Sequence, residues 1–484
     1  MNIFTPEEIR LIENKIVEDL NINTDLLMEH AAYSVFNFIE KNFCKKKISI
    51  LCGPGNNGED GFALGRILNA NNYEVEIYTD LELVSKKSNN NFLRAKHLKI
   101  LNLENFYPLE NSVIIDALFG IGLSRRLDNK YVEIIKLVNS INANIISIDI
   151  PSGLNPLTGE ILTEAIKANY TITFFGYKLG MIKFPASSYL GEVIVSTLTV
   201  NSKFLEKNSS IFINTPIAMA TKSRLMHKTT YGRTISIAGS NNYYGAPFFT
   251  AKSALLSGSG YSILITSNDI KQTCAVLAPE VIYKEFEEIE KTISERDIIA
   301  IGPGLGLSQE SKELFQKTLN LQPKLFIIDA DGLNILSEDI TMLSKINKPV
   351  ILTPHVGEMA RLLNTTVKDI EVDPIKNSKI LSSKTNSYVI LKGVHTIIST
   401  PKQEIYVNLE SSNTLATAGS GDVLTGILVG VLTNEEVING CRIAVHVHGT
   451  IGKILEDRVG SRGNTALDIM NTIPKALNAY NLLF

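Results

Sequence analysis

Short β-branched runs recur along this chain, most of them ending in a glycine loop or an acid and leading into a helical stretch. That alternation constrains the fold more than any other feature. A strand followed by a crossover helix returns the next strand parallel to the last, so the expected class is α/β. In the first half the runs are Ile48–Cys52, Val75–Tyr78, Val113–Asp116, Ile145–Asp149 and Thr171–Phe175, with Glu192–Val200 as a last strand. The second half restarts with Thr234–Ala238, Ser262–Thr266, Ile298–Gly302, Leu325–Asp329, Val350–Thr353, Val389–Leu391 and Thr396–Ser399, and from about Gly421 it reads as helix. Polar Asn201–Ser210 lies between the two series. The boundary is expected there, giving domains over 1–208 and 209–484, each long enough for its own core. The first helix has a marked start: Thr5 can cap, Pro6 takes the first helical position and Glu8 completes a capping box. A second helix is expected over Thr24–Asn42.

Lys plus Arg is 47 and Asp plus Glu is 50, so the net charge of −3 lacks the basic excess of a nucleic-acid binder. The longest apolar stretches, such as Val423–Leu432, reach only about half the roughly twenty residues that a membrane span needs. The N-terminus carries acids where a secretory signal carries positive charge. A cytoplasmic, reducing compartment is expected, and the scattered Cys44, Cys52, Cys274 and Cys441 read as buried free thiols. Small-molecule substrates and a homo-oligomer are expected, with no nucleic-acid or membrane partner.

Directly after Ile48–Cys52 comes Gly53-Pro54-Gly55-Asn56-Asn57-Gly58-Glu59-Asp60-Gly61, with a helix expected to follow. Glycines let the backbone approach an anion, and a helix N-terminus offers free N–H groups. As a glycine loop alone, a structural turn fits equally well. The Asn-Asn-Gly-x-Asp core narrows it. Asp116 leads into Ala117-Leu118-Phe119-Gly120 and on to Arg126, and Asp149 leads into Ile150-Pro151-Ser152-Gly153. Loops at the carboxyl ends of parallel strands are where ligands bind, so these three could surround one small ligand and one hard cation.

Together these motifs resemble the NAD(P)H-hydrate epimerase domain across roughly residues 5–205, which implies a Rossmann-like three-layer fold. By that resemblance Asn56, Asn57, Gly58, Glu59 and Asp60 contact the hydrate. So do Gly120, Ile121, Gly122, Leu123, Ser124, Arg125 and Arg126, with Asp149 as the catalytic group against the substrate. Asn57, Asp116 and Ser152 would hold a potassium ion. Glu59 stands where that family usually has a second glycine, so its side chain must point away from the phosphate or the local geometry must differ.

The second half has glycine-bracketed Ala238-Gly239-Ser240 to Tyr244-Gly245-Ala246-Pro247, then Gly302-Pro303-Gly304-Leu305-Gly306, the acids Asp329 and Asp331, and Thr353-Pro354-His355-Val356-Gly357-Glu358. Its sharpest motif is Gly419-Ser420-Gly421-Asp422, which opens a helix and sets an acid beside an anion hole, as a base for a hydroxyl attacking a phosphoryl group needs. With Lys392-Gly393-Val394-His395-Thr396, the set resembles the ADP-dependent NAD(P)H-hydrate dehydratase over roughly residues 222–484, a ribokinase-like α/β domain. That resemblance implies ADP as co-substrate and Mg2+ as cofactor. It implies nucleotide contacts at Lys392, Gly393, Val394, His395, Thr396 and Gly421, hydrate contacts at Ala246, Gly304, His355 and Asp422, and Asp422 as the catalytic base.

Plainer readings stand beside these. Asp329 and Asp331 could simply cap the next helix. His446 and His448, two apart, do not share a helix face and so make a poor metal pair. The Lys45–Lys47 run reads as a solvated edge. The expected activity is repair of hydrated NADH and NADPH: epimerisation of their R and S forms and ADP-dependent dehydration of S, giving AMP and phosphate. A ribokinase-like small-molecule kinase and a catalytically silent nucleotide sensor are the rival readings.

Overall fold

The structure is a computed structural model of this chain and describes residues 1–43, 46–80, 84, 90–98, 100–102, 112–220 and 232–484. These fall into two compact units, Met1–Ile211 and Phe212–Phe484.

In the first unit seven strands form one sheet, in the order Leu101–Asn102, Val75–Thr79, Ile48–Cys52, Val113–Ala117, Asn144–Ile148, Tyr170–Phe174 and Glu192–Ser196. Every pairing in it is parallel. Ile48–Cys52 and Val113–Ala117 are buried along their whole length, which is why they read as nearly unbroken apolar runs rather than as an alternation. Counted along the chain, the order is 3-2-1-4-5-6-7. The winding reverses between Ile48–Cys52 and Val113–Ala117, and ligands of such sheets bind in the crevice outside the carboxyl ends at that reversal.

The helix Pro6–Leu20 starts as its sequence predicts: Glu8 N–H donates to Thr5 Oγ1 (3.2 Å) and Thr5 N–H donates to Glu8 Oε2 (2.7 Å). The second helix spans Thr24–Asn42. Three features differ from the sequence reading. The third helix starts at Asn56, so the Asn-Asn-Gly-x-Asp core is its first turn and not a loop before it. The last strand stops at Ser196, because Leu198 and Thr199 take positive φ (51° and 65°), which breaks the extended run. The polar Asn201–Ser210 stretch contains a helix, Ser202–Glu206, and it anchors Leu205 in the core. A separate two-stranded parallel sheet, Ile3–Phe4 with Tyr177–Lys178, was not legible in the sequence.

In the second unit ten strands run in the order Ile211–Ile213, Ile405–Asn408, Thr396–Ser399, Tyr388–Leu391, Val350–Leu352, Leu325–Ile328, Ile298–Ile301, Arg233–Ile237, Tyr261–Ile265 and Ile282–Lys284. The pairings from Tyr388–Leu391 through to Ile282–Lys284 are parallel, and Thr396–Ser399 is antiparallel to both its neighbours. The helices Ser420–Val431, Val437–Val459 and Ala466–Asn481 form the expected helical end. Ser420–Val431 lies close against the helix Gly245–Leu256, since a Cβ on Gly426 would stand 2.5 Å from the Thr250 carbonyl oxygen.

Cys52, Cys274 and Cys441 are buried free thiols, and Cys44 lies outside the described residues. So does Lys45, whereas Lys47 pairs with Glu76 (2.9 Å) and Glu74 (3.4 Å). Among the described residues no helix is long and apolar enough to cross a membrane.

Candidate functional site

The first unit has a cavity of about 720 Å3 at the carboxyl ends where the sheet reverses. Asn56, Asn57, Asp60, the segment Gly120–Arg125 and Asp149 line it, together with Arg10 and Glu13 of the first helix and Lys178. Gly58, Glu59 and Arg126 are not among its lining residues. The first turn from Asn56 presents backbone N–H groups that no intrahelical carbonyl satisfies, a ready anion site. Gly58 must be glycine: a Cβ there would stand 1.9 Å from the Gly53 carbonyl oxygen.

Asp149 follows its strand with φ 68°, a strained setting for a non-glycine residue. Its carboxylate pairs with the Lys178 ammonium, which is only 1% exposed. Lys178 Nζ also donates to Thr173 Oγ1 (2.8 Å) and the Phe174 carbonyl (3.1 Å). Lys178 is brought there by the pairing of Tyr177–Lys178 with Ile3–Phe4. Burial first, then the Asp149 charge, pushes the Glu13 carboxyl up against the pull of Lys178 and Arg10. Asp60 is pushed well above the carboxylate range by burial and by Asp149, Glu13 and Glu59. One buried ammonium thus faces several carboxyls that differ in proton affinity, the arrangement that acid–base chemistry at one carbon uses.

Asp116 is fully buried and accepts from Ser147 Oγ (2.8 Å), Ser152 N (2.8 Å), Ser152 Oγ (2.5 Å) and Leu118 N (3.3 Å). Ser152 Oγ in turn accepts from Phe119 N (2.9 Å). Among the described residues neither polar atom of the buried Asn57 amide has a partner, and Gly120 lies alongside it.

Glu59 points elsewhere. One of its carboxyl oxygens accepts from Asn91 N (3.3 Å), the other is buried without a partner, and burial raises its pKa to about 7. A folded-state pKa above the ordinary 4.5 means that folding favours the protonated acid, so the stability it supports is whole below about pH 4.5 and is lost as pH rises through about 7. Glu59→Gln is therefore expected to raise thermal stability at about pH 8, by no more than about 3 kcal/mol, with the gain shrinking as pH falls from about 7 and absent below about pH 4.5. Melting curves of both proteins across that range check it; a gain that does not vary with pH contradicts it.

In the second unit a Cβ on Gly302 would stand 2.0 Å from the Asp329 carbonyl oxygen, so the glycine turn and the acid-bearing strand end lie against each other. Gly304 is brought to Ala246, its ideal Cβ position lying 3.1 Å from that methyl group. The capping reading of the acids is corrected. Asp331 Oδ2 accepts from Gly306 N (2.8 Å), holding the turn, while Asp329 accepts from Lys392 Nζ (2.8 Å) and Thr425 Oγ1 (2.7 Å). Ala330 between them takes φ 49°.

Lys392 begins the turn between Tyr388–Leu391 and antiparallel Thr396–Ser399. Its ammonium points inward, 2.8 Å from Asp329 and 4.0 Å from Glu358, and Gly421 lies beside it, with 3.4 Å from Nζ to an ideal Cβ. Gly393 and Val394 are exposed, and His395 Nδ1 is buried without a partner. Burial favours a protonated Asp329, but the Lys392 charge and the hydrogen bonds of Lys392, Thr425 and Thr353 outweigh it and hold the carboxyl low. Asp422, in the first turn of Ser420–Val431, is raised to about 7 by burial and by the Asp329 charge, against Lys392. Burial likewise takes Glu358 to about 7.

His355 caps the helix Val356–Leu363, its Nδ1 accepting from Gly357 N (3.0 Å) and Glu358 N (3.3 Å). Backbone N–H groups only donate, so Nδ1 is bare and the imidazole proton sits on Nε2. Burial, then the Lys392 and Arg361 charges, lowers this histidine's pKa. His446 and His448 part company: His446 lies edge-on to Tyr480, and His448 Nε2 lies 3.1 Å from Ser420 Oγ, inside the glycine turn. Among the described residues no three His, Cys, Asp or Glu side chains are grouped to hold a metal.

Sequence reasoning missed Lys178 and Glu13, which carry no local motif, and His448, which acts across two helices. Glu358, read only as the end of the Thr353–Glu358 motif, closes a capping box in the structure, its Oε2 accepting from His355 N (2.7 Å).

Two family models match the chain: NAD(P)H-hydrate dehydratase over residues 235–475 and YjeF-related protein N-terminus over residues 24–180. The second unit is similar to the crystal structure of ADP/ATP-dependent NAD(P)H-hydrate dehydratase from Bacillus subtilis co-crystallised with ATP and Mg2+, at 25% identity and a TM-score of 0.50, over 54% of this chain and 95% of that one. It is also similar to a ribokinase-like superfamily protein of Enterococcus faecalis, at 25% identity and a TM-score of 0.51, over 56% of this chain and 96% of that one. The bifunctional NAD(P)H-hydrate repair enzyme Nnr of Escherichia coli is 28% identical over 98% of this chain and 94% of its own length. That of Thermofilum pendens is 34% identical over 99% of this chain and 97% of its own length. With both family models matched and both units aligned end to end, the chain belongs to the family of bifunctional NAD(P)H-hydrate repair enzymes.

Proposed function

We propose that the first unit interconverts the R and S forms of hydrated NADH and NADPH and that the second returns the S form to the reduced dinucleotide, using ADP and releasing AMP and phosphate. The observation that carries the second activity is Asp422: a half-buried carboxyl whose pKa desolvation raises to about 7, beside Lys392 and the glycine turn. As the carboxylate it takes the proton of the hydrate hydroxyl. The freed oxygen bonds to the terminal phosphorus of ADP, and AMP leaves with the electron pair of the broken P–O bond. The ring nitrogen's lone pair then expels the new ester as inorganic phosphate, and loss of the neighbouring ring proton restores the double bond. Turn N–H groups and Lys392 meet the charge that develops on the transferred phosphoryl group.

Mg2+ binds through nucleotide phosphates plus one or two carboxylates rather than a ready-made protein cage, and buried Asp329 and Glu358 around Lys392 fit that need. Bound there, the ion would neutralise phosphate charge.

In the first unit the ring nitrogen expels the hydroxyl as water once a proton is supplied, and water returning from the other face inverts the carbon. Glu13, Asp149 and Lys178 hold and move that proton, while the helix start at Asn56 binds the phosphates. The partnerless Asn57 amide, with the Asp116 and Ser152 oxygens, fits an oxygen-loving cation such as potassium, which would fix charge beside the Gly120 turn. Asn57→Ala breaks no hydrogen bond, so it is expected to leave thermal stability and dehydration unchanged while abolishing the response of epimerisation to added potassium. An unaltered potassium titration contradicts the ion site.

A small-molecule kinase would use the same turn and aspartate. Product analysis with S hydrate and either ADP or ATP separates the two: inorganic phosphate with restored near-ultraviolet absorbance supports repair, and a lasting phosphate ester overturns it.

A further inference from the structure

A second cavity in the first unit, of about 430 Å3, opens between the carboxyl ends of Ile48–Cys52 and Val75–Thr79 and the helix Asn129–Ser140. Its volume suits one nucleoside. Among the described residues it is lined by Tyr78 and Asp80 on one side and by Lys130, Tyr131 and Ile134 on the other, and Leu118 borders both it and the larger cavity. Among the described residues the buried Tyr131 hydroxyl has no hydrogen-bond partner, although the ring is fixed edge-on to Phe119 at 4.8 Å. A buried hydroxyl left unpaired is destabilising, so the site is shaped for an acceptor that the described residues do not provide.

The sheet order says which acceptor. Dinucleotides lie across the reversal of a sheet wound 3-2-1-4-5-6, with an acid at the end of the second strand, about twenty residues past the glycine loop, meeting the ribose. Here the second strand is Val75–Thr79, Asp80 follows it, and the fourth strand leads into Asn129–Ser140. The catalytic carboxyl Asp149 stands at the fifth strand, on the opposite side of the reversal.

We propose that this cavity is the adenosine subsite of the epimerase, taking the purine nucleoside end of the hydrated dinucleotide while the hydrated ring lies at Asp149. The Tyr131 hydroxyl donates to a purine ring nitrogen. Asp80 accepts from the ribose hydroxyls, and Lys130, which pairs with Asp80, meets a 2′-phosphate when one is present. This assignment rests on the proposed epimerase activity.

The test uses the full chain, with two substrates and one label. Wild type is expected to show a KM for hydrated NADH at least about tenfold below that for the hydrate of reduced nicotinamide mononucleotide, which lacks the adenosine end. Ile134→Trp, which fills the cavity, is expected to raise the dinucleotide KM about tenfold and leave the mononucleotide KM and both kcat values unchanged. Tyr131→Phe removes one hydrogen bond, and a rise of about two- to tenfold is expected for the dinucleotide alone. Hydrated NADH carrying an azide on the adenine, photolysed on the protein, is expected to label the Tyr78–Asp80 or Lys130–Leu137 peptide in the first unit. Equal KM values for the two substrates, KM values that move together or not at all, or label elsewhere in that unit would overturn the subsite. Because labelling needs no turnover, a wild type that epimerises neither substrate refutes the epimerase reading, while the label still decides the subsite.

Discussion

Asp422→Asn is expected to cut ADP-dependent dehydration by ~10²–10⁴-fold, the usual cost of losing a positioned base, with epimerisation by the same chain unchanged. The side chain opens the helix Ser420–Val431 beside Gly421 and Lys392, and an amide of the same shape keeps the packing while removing the base. The wild-type pH profile carries a second expectation. Burial, then the Asp329 charge, raises Asp422 to about 7, and only its ionised form takes a proton, so dehydration should fall as pH drops below about 7. The variant's residual rate should lack that acid limb. Initial rates of phosphate release across pH for both proteins check this. Dehydration by the variant at the wild-type rate would mean that another group takes the hydroxyl proton.

In the first unit Asp149→Asn and Lys178→Met are each expected to lower epimerisation by ~10²–10⁴-fold while the S hydrate is still dehydrated normally. Lys178 is the more informative position. Its ammonium is the charge that offsets Asp149, Glu13 and Asp60, so removing it leaves buried carboxyls with one cation fewer and a disturbed proton distribution. Melting curves of the variant beside wild type report whether the first unit still folds, and normal dehydration reports the same of the second. Epimerisation by Lys178→Met at the wild-type rate would leave Lys178 as a structural partner of Asp149 alone.

The parts legible in the sequence are those fixed by neighbours a few residues apart. Thr5, Pro6 and Glu8 give the start of the first helix because a capping box closes over one turn. Asp116, Asp149 and Asp329 fall at strand ends as read, because a β run ending in an acid and a turn is local information. The helix start at Asn56 was misread because asparagine and glycine favour turns, and a strand-to-helix turn closed by the Gly53–Gly58 contact prevails over that preference. Lys178 was beyond reach for a different reason. Its position depends on pairing with Ile3–Phe4 at the other end of the unit, and a two-residue strand has no periodicity to read. His448 likewise needed knowledge of which helix faces the glycine turn. The plainer reading of Asp329 and Asp331 as helix caps fails because their partners, Lys392, Thr425 and Gly306, come from three other segments.

The central claim is that one chain carries both activities on one damaged dinucleotide. The most direct measurement starts from an R and S mixture of hydrated NADH with ADP and Mg2+, and follows near-ultraviolet absorbance and phosphate release to completion. The account predicts that both epimers are consumed, with one phosphate per dinucleotide restored, and that Asp149→Asn stops when S is exhausted apart from slow spontaneous epimerisation. Wild type stopping at the same point as Asp149→Asn, or restored dinucleotide without matching phosphate, would contradict it.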